Sequence, residues 1–395
     1  MESGNFHIEV DIQQAVHIEN TICGDVFLSE RVKSERRLIA VLSDGMGTGV
    51  KANVLATLTA SMALNFIKGH RNIRQTAEII MDTLPVCSFR GVSYSTFTIV
   101  DIEFDGTTNI IEYDNPASVV MRGKKPFDPG WREISLESEK HKGKVLRLCK
   151  FQAQKEDRIF FWSDGVAQSG MGSRQYPFGW GEESVEKFIH NLVERDPFIS
   201  ATAAAKKVIE VATRNDNNVP QDDTSCAVVY FRQPRRLLIC TGPPYDKEKD
   251  SQLAVKLQTF EGKKVISGGT TAEILALNLN LLYRPGIEMT DPDLPPISYM
   301  EGVNLVTEGV LTLSKVATKL REYSLDTVLT NGPADEMIKL IFKSDYIHFL
   351  VGTSINTAHQ DPNLPQELEI RRSVVRRIVE ILETKFMKEV SLEFI

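Results

Sequence analysis

The sequence predicts an α/β protein in two parts, and three observations carry that expectation. Leu38 to Leu42 is an apolar run that suits a strand buried on both faces, and it ends in Ser43-Asp44-Gly45 just before a helical pattern. Residues 1–232 hold short strand patterns punctuated by turn residues. From residue 237 onward strands alternate with helices, which argues a small α/β domain with a mainly parallel sheet. Gln233 to Arg236 reads as a linker, so the expected domains are 1–232 and 237–395.

The 395 residues allow two or three domains and a sizeable core. A composition of 42% hydrophobic and 25% charged residues is that of a soluble globular protein. The net charge of −7, with no dominant basic cluster, argues against nucleic acid as a partner. No apolar run approaches the length that spans a bilayer, so no membrane partner is expected. The acidic, polar start from Met1 to His7 is unlike a signal peptide. Five scattered cysteines (Cys23, Cys87, Cys149, Cys226, Cys240) form no Cys-x-x-Cys pair and suit free thiols in a reducing cytoplasm.

Phe6 to Val16 alternates and suits an opening strand. Ile22 to Phe27 is a second short strand with Gly24-Asp25 inside it. After Asp44, the glycines at 45, 47 and 49 allow a tight backbone path. The next helix is expected to bury Val50, Val54, Leu55, Leu58, Met62 and Phe66 on one face. A helix follows at Thr76 to Leu84. Strands follow at Tyr94 to Phe104 and Asn109 to Arg122, joined by Asp105-Gly106. Phe127 to Lys144 reads as a surface crossing. Arg158 to Val166 repeats the strand ending in Ser163-Asp164-Gly165. Helices at Glu183 to Val193 and Ala201 to Thr213 lead to Asp222-Asp223 and a buried strand, Cys226 to Arg232.

Asp25, Asp44, Asp164 and the pair Asp222-Asp223 thus share one context, the edge of an apolar strand. Taken singly, an Asp-Gly is a turn and an Asp before a helix is an N-cap. A phosphate-binding glycine loop is a rival reading of residues 45–49, but the spacing matches neither a dinucleotide fingerprint nor a Walker motif. Taken together, carboxylates without basic partners repel one another and are costly to gather unless a cation neutralises them. Hard oxygen donors suit Mg²⁺ or Mn²⁺.

Gly24-Asp25, Ser43-Asp44-Gly45-Met46-Gly47-x-Gly49, Ser163-Asp164-Gly165 and Asp222-Asp223-x-Ser225 occur in the order seen in metal-dependent PPM/PP2C-type serine/threonine phosphatases. With Met after Asp-Gly, residues 1–232 resemble the bacterial branch typified by the stage II sporulation protein E phosphatase. The resemblance implies an αββα sandwich, two antiparallel sheets flanked by helices. It implies two Mn²⁺ or Mg²⁺ ions bridged by Asp44. Asp25 and the Gly45 carbonyl would hold one ion; Asp164 and Asp222, less so Asp223, would hold the other. Asp44 and Asp164 carry the catalytic role in this expectation, with a metal-bridging water attacking a phosphoserine or phosphothreonine of a protein substrate. Thr48 to Lys68 would be a regulatory switch. Departures are Met46, which cannot donate a proton where other members carry His, and the lack of an arginine phosphate motif before Asp25. Asn115-Pro116-Ala117 partly matches a family turn and has no assigned role.

In the second half, strands are expected at Leu237 to Thr241, Lys263 to Ser267, Val303 to Val306 and Tyr346 to Gly352. Helices are expected at Asp250 to Phe260, Ala272 to Asn278, Pro333 to Lys343 and Leu368 to Leu382. Ser267 to Thr271 is either a structural glycine turn or a phosphate site, so a small ligand is a candidate partner of this domain. Asp291 to Pro296 and His359 to Pro365 are rigid loops. This half resembles the extension of sporulation-phosphatase-like proteins encoded beside iron-only hydrogenases, which implies no activity. The expected function is a cytoplasmic protein phosphatase of bacterial signalling with a regulatory or ligand-sensing second domain. The alternative is a pseudophosphatase or signalling module that only binds partners. An exposed helix face is compatible with a homodimer.

Overall fold

The computed structural model describes residues 6–32, 34–69, 73–83, 95–136, 143–324, 326–353 and 364–395. Cys87, Tyr94 and most of the His359 to Pro365 loop lie outside them. The chain divides into two compact units, Met1–Gln233 and Pro234–Ile395.

The first unit runs β1 (His7–Ala15), β2 (Val26–Val32), β3 (Arg37–Gly45), α1 (Gly49–Lys68), α2 (Ile73–Thr83), β4 (Ser95–Ile102), β5 (Thr107–Tyr113), β6 (Val119–Arg122), β7 (Lys125–Pro126), β8 (Arg132–Ser135), β9 (Val145–Gln152), β10 (Asp157–Trp162), α3 (Asp164–Gln168), α4 (Glu182–Arg195), α5 (Ala201–Asn215) and β11 (Thr224–Arg232). Two antiparallel sheets result, ordered β1-β11-β10-β6-β7 and β2-β3-β4-β5-β9-β8.

The strand period of two sorts each apolar run into two cores. Leu38, Ala40 and Leu42 of β3 face the other sheet and meet Ile159, Phe161, Val229 and Phe231. Ile39 and Val41 point the other way and pack with Ala60, Ala63, Leu64 and Ile67 of α1. On the far side, Phe160, Trp162 and Val228 pack beneath Ala204, Ala205 and Val208 of α5 and Val185 and Ile189 of α4. Helix, sheet, sheet, helix is the αββα sandwich expected, and strands buried on both faces explain the near-continuous apolar runs.

Several local expectations change. The buried face of α1 is Ala52, Ala56, Thr59, Ala60, Ala63, Leu64 and Ile67. Val50, Val54 and Leu58 remain 62%, 52% and 50% exposed. Small residues face the sheet because the helix lies close on it, as Gly45 shows below. Among the described residues, α1 is also a helix long and apolar enough to cross a membrane by length and composition only, contrary to the expectation of none. The residues packed against the sheet make that weak evidence. Gly24-Asp25 precedes β2 instead of lying within a strand. Residues 109–122 are not one strand: β5 ends at Tyr113, Asp114 takes a positive φ of 56°, and β6 begins at Val119 in the other sheet. Within Phe127 to Lys144, β8 pairs with β9, which the sequence reading did not foresee.

The second unit runs β12 (Arg236–Thr241), α6 (Asp250–Thr259), β13 (Lys263–Ser267), α7 (Gly269–Leu279), β14 (Tyr283–Arg284), β15 (Tyr299–Met300), β16 (Leu305–Thr307), α8 (Val310–Glu322), α9 (Pro333–Phe342), β17 (Tyr346–Val351), α10 (Leu364–Thr384) and β18 (Glu389–Phe394). Its main sheet is ordered β16-β13-β12-β17-β18, and every pairing is parallel. Leu238 and Cys240 pack with α6 and α7, whereas Leu237 and Ile239 pack with α8, α9 and α10. The unit is therefore a doubly wound sheet whose order reverses between β12 and β17. Helix α8 and strand β18 were not foreseen. The Asp291 to Pro296 loop is tied to α8, since Lys315 Nζ bonds Asp291 at 2.7 Å and Asp293 at 2.9 Å.

Candidate active site

Each acidic tip is placed by strand register and by a glycine beside it. Asp44 is the penultimate residue of β3 and pairs with Thr96 of β4. At Gly45 a Cβ would stand 2.6 Å from the Ala52 carbonyl carbon, so only glycine lets α1 approach the strand end. At Gly24 a Cβ would stand 2.8 Å from Asp223 Oδ2 and 2.9 Å from Ala52 Cβ. At Gly165 it would run into the Asp223 carbonyl and lie 2.9 Å from Thr224 Oγ1. The backbones beside Asp25, Asp44 and Asp164 thus close on Ala52 and on residues 223–224.

Hydrogen bonds orient the side chains. The Ser225 hydroxyl donates to Asp25 Oδ2 at 2.6 Å. Gln168 Nε2 donates to Asp164 Oδ2 at 2.6 Å, and the Asp223 amide donates to Asp222 Oδ1 at 2.8 Å. Asp223 differs: its Oδ1 accepts from the His17 amide at 3.0 Å and its Oδ2 from the Gly24 amide at 2.8 Å. Both oxygens serve to join the loop before β2 to the start of β11. Asn115 also has a place: its Nδ2 donates to Thr98 at 3.1 Å, and Thr96 Oγ1 donates to its Oδ1. It secures β4 beside Asp44 where the chain changes sheets. Gln168 escaped the sequence reading, and Ser163, Ser225 and Asn115 stood in its motifs without a role, because a hydroxyl or amide gains meaning only from what it faces.

The electrostatics identify the cluster as one unit. Burial, then repulsion from Asp25, Asp164 and Asp222, pushes the Asp44 carboxyl well above the usual carboxylate range. Burial raises Asp25 to about 7, despite the hydrogen bonds from Ser225 and Ser163. Burial and Asp164 raise Asp222 to about 6. Four carboxylates buried elsewhere take a cation: Asp101 has Arg37, Asp157 has Arg122, Glu112 has Arg147 and Asp335 has Lys319.

Among the described residues no three acidic, imidazole or thiol groups form a ready-made chelate. The donor chemistry nonetheless fits Mg²⁺ or Mn²⁺, which Mg²⁺ in particular takes through one or two carboxylates while keeping several waters. Residues that fit are Asp25, Asp44, Asp164 and Asp222, with the Gly45 carbonyl at the same strand end.

No curated protein matches the chain. Among solved structures it is similar to the PP2C phosphatase domain and regulatory-domain fragment of the cell fate determinant SpoIIE from Bacillus subtilis, at 15% identity and a TM-score of 0.47, over 57% of this chain and 62% of that one. It thus spans less than two thirds of that structure. It is similar also to the SiaA PP2C domain of Pseudomonas aeruginosa, at 13% identity and a TM-score of 0.42, over 56% and 84% of the two chains. A third is the catalytic domain of the serine/threonine phosphatase PstP in complex with two manganese ions, at 13% identity and a TM-score of 0.38, over 57% and 99%. Similarities this low carry no assignment. The family model described as stage II sporulation protein E (SpoIIE) does, because it matches residues 34–232, which is 199 of the 395 residues. The chain belongs to the stage II sporulation protein E family.

Proposed function

We propose that the first unit is a metal-dependent protein phosphatase that hydrolyses phosphoserine and phosphothreonine. The observation that carries the reading is the gathering of Asp25, Asp44, Asp164 and Asp222 with little basic compensation. Two Mn²⁺ or Mg²⁺ ions, when bound, would neutralise this charge and activate water for in-line attack on phosphorus. Asp44, repelled by the other three, is the residue with most to gain from a cation. Ser225 holds Asp25, Gln168 holds Asp164, and the Asp223 amide holds Asp222, so the carboxylates are oriented before any ion arrives. We leave Asp223 out of the ligand set, because its two oxygens already bind main-chain amides. Met46 supplies no proton.

The second unit acts in this reading as a regulatory or ligand-sensing domain. Free cysteines at 23, 149, 226 and 240 are in keeping with a cytoplasmic protein. The partner-binding, non-catalytic reading has one observation in its favour, the want of a ready-made chelate among the described residues.

The test is hydrolysis of phosphoserine and phosphothreonine peptides by the full chain with Mn²⁺, with chelator, and as Asp44→Asn. The proposal expects turnover that needs metal and falls by ~10²–10³-fold in the variant, the usual loss when one main electrostatic contact is removed. Metal binding without turnover on any substrate would favour the non-catalytic module.

A further inference from the structure

Strands β12, β17 and β18 run in parallel register. Leu238 pairs with His348 and His348 with Ser391; two residues on, Cys240 pairs with Leu350 and Leu350 with Glu393. Leu238, Cys240 and Leu350 pack with α6 and α7. Ile347 and Phe349 pack instead with α8, α9 and α10. The strand period of two therefore puts His348, Ser391 and Glu393 together on the α6 face of the sheet. Lys256 Nζ, reaching from α6 to Glu393 Oε1 at 2.5 Å, lies on that same side.

On this face the imidazole is engaged at both nitrogens. His348 Nδ1 lies 2.6 Å from Ser391 Oγ, and Nε2 lies 3.4 Å from Glu393 Oε2. With Glu393 accepting from Nε2, Nδ1 keeps its lone pair for the serine hydroxyl. Burial holds His348 below its ordinary 6.5 although Glu393 opposes the shift, so the ring is neutral and able to take a proton at pH 7. A hydroxyl, a neutral imidazole and a carboxylate in series form the arrangement that activates a serine, and it is recognised by geometry and not by chain order. The second observation is a cavity of about 330 Å³, within the size range of small-molecule sites. Its walls include His348, Ser391, Arg236 and Phe260. Among the described residues Arg236 makes no ion pair, so its charge is at the disposal of the cavity.

We infer that the second unit hydrolyses small carboxylic esters in this cavity, with Ser391 as nucleophile and His348 as general base. Ser391 Oγ bonds to the ester carbonyl carbon while its proton passes to His348 Nδ1. The bond from that carbon to the alcohol oxygen then breaks, and His348 returns the proton to the leaving oxygen. A water, deprotonated in turn by His348, attacks the acyl-serine, releases the acid and restores the hydroxyl. Arg236 is the cation on the cavity wall that meets the developing oxyanion, and Phe260 is the apolar wall for the acyl chain. Glu393, steadied by Lys256, is a positioning residue that acts through His348. The inference is independent of phosphatase activity in the first unit.

The test is hydrolysis of p-nitrophenyl butyrate by the full chain in chelator, which silences metal-dependent chemistry in the first unit, together with fluorophosphonate labelling read by peptide mass spectrometry. Saturable turnover and an adduct on Ser391 are expected. Ser391→Ala should abolish both, and His348→Gln should lower the rate by ~10²–10⁴-fold, the usual weight of a general base. Ser391 is exposed and His348 half-buried, so both variants should melt with the unsubstituted chain. Glu393→Gln should lower the rate and move the acid limb of the pH–rate profile to lower pH, because Glu393 raises the His348 pKa; a merely structural role would leave that limb in place. No saturable turnover by the unsubstituted chain, an adduct only on another residue, or turnover that survives Ser391→Ala or His348→Gln would each overturn the inference.

Discussion

Gly45→Ala isolates the idea that main-chain closeness, and not only carboxylate chemistry, builds the site. The added Cβ would stand 2.6 Å from the Ala52 carbonyl carbon and 2.9 Å from Ala52 Cα. Non-bonded carbons rest about 3.5–4.0 Å apart, so α1 must retreat from β3 by about 1 Å. The opposing atoms are main chain, so no rotamer relieves the clash. Overpacking of this kind costs roughly 1–3 kcal/mol, and the upper end is expected here. The retreat also moves Ala52, whose Cβ lies against Gly24, and therefore disturbs the positions of Asp25 and Asp44 together. A misplacement of about 1 Å can lower a catalysed rate by ~10²-fold. The assays are the urea midpoint and the initial Mn²⁺-dependent rate on a phosphoserine peptide. Gly47→Ala is the control: it has a φ of +95° but nothing within 4 Å of a Cβ, so it bears backbone strain without a clash. The reasoning fails if Gly45→Ala stays within about 0.5 kcal/mol of the unsubstituted chain, the range of an ordinary surface change, or is no worse than Gly47→Ala.

Leu58→Glu should shift stability by less than about 0.5 kcal/mol because Leu58 is exposed, whereas Ala60→Leu should cost about 1–3 kcal/mol on the packed face of α1; chemical denaturation compares the two. Arg37→Met should cost about 3–5 kcal/mol, because it strands the buried Asp101 carboxylate that Arg37 Nε holds at 2.6 Å, and Asp101→Asn in the same chain should recover part of the loss. Burial alone would raise Asp335, but Lys319 and the Thr330 hydroxyl and amide outweigh it and hold it below its usual 3.8. A carboxyl lowered on folding adds stability above its unfolded value, and that stability fades as pH falls through the folded one. Asp335→Asn should therefore flatten the stability profile below about pH 4, read as melting temperature against pH.

The acidic strand tips were legible because their signal is local. An apolar run, a Ser-Asp-Gly and a following helix are adjacent in the chain at residues 38–51, and again at 158–166 without the long helix. The packed face of α1 was not legible from the same stretch. Its large apolar residues repeat at helical spacing, but the contact with Gly45 draws the helix so near that alanines must face the sheet. The break between β5 and β6 was missed for a related reason. Residues 109–122 are apolar enough for one strand, and only the need to fill two sheets divides them at Asp114. Helix α8 and strand β18 find their partners across the parallel sheet, where pairing has no local signature.

By itself the sequence determined the chemistry on offer: hard oxygen donors at strand ends, glycines beside them, and a second half that alternates strand and helix. The tertiary structure decided which carboxylate does what. Asp222 and Asp223 are neighbours of identical type, yet Asp223 faces the amides of His17 and Gly24 and becomes a clamp, while Asp222 faces Asp164 and joins the charged cluster. Adjacent residues point to opposite sides of an extended chain, and the amides that meet Asp223 arrive from about 200 residues away in the sequence, whereas Asp164 belongs to the neighbouring strand end. Only the folded sheets could bring the two together.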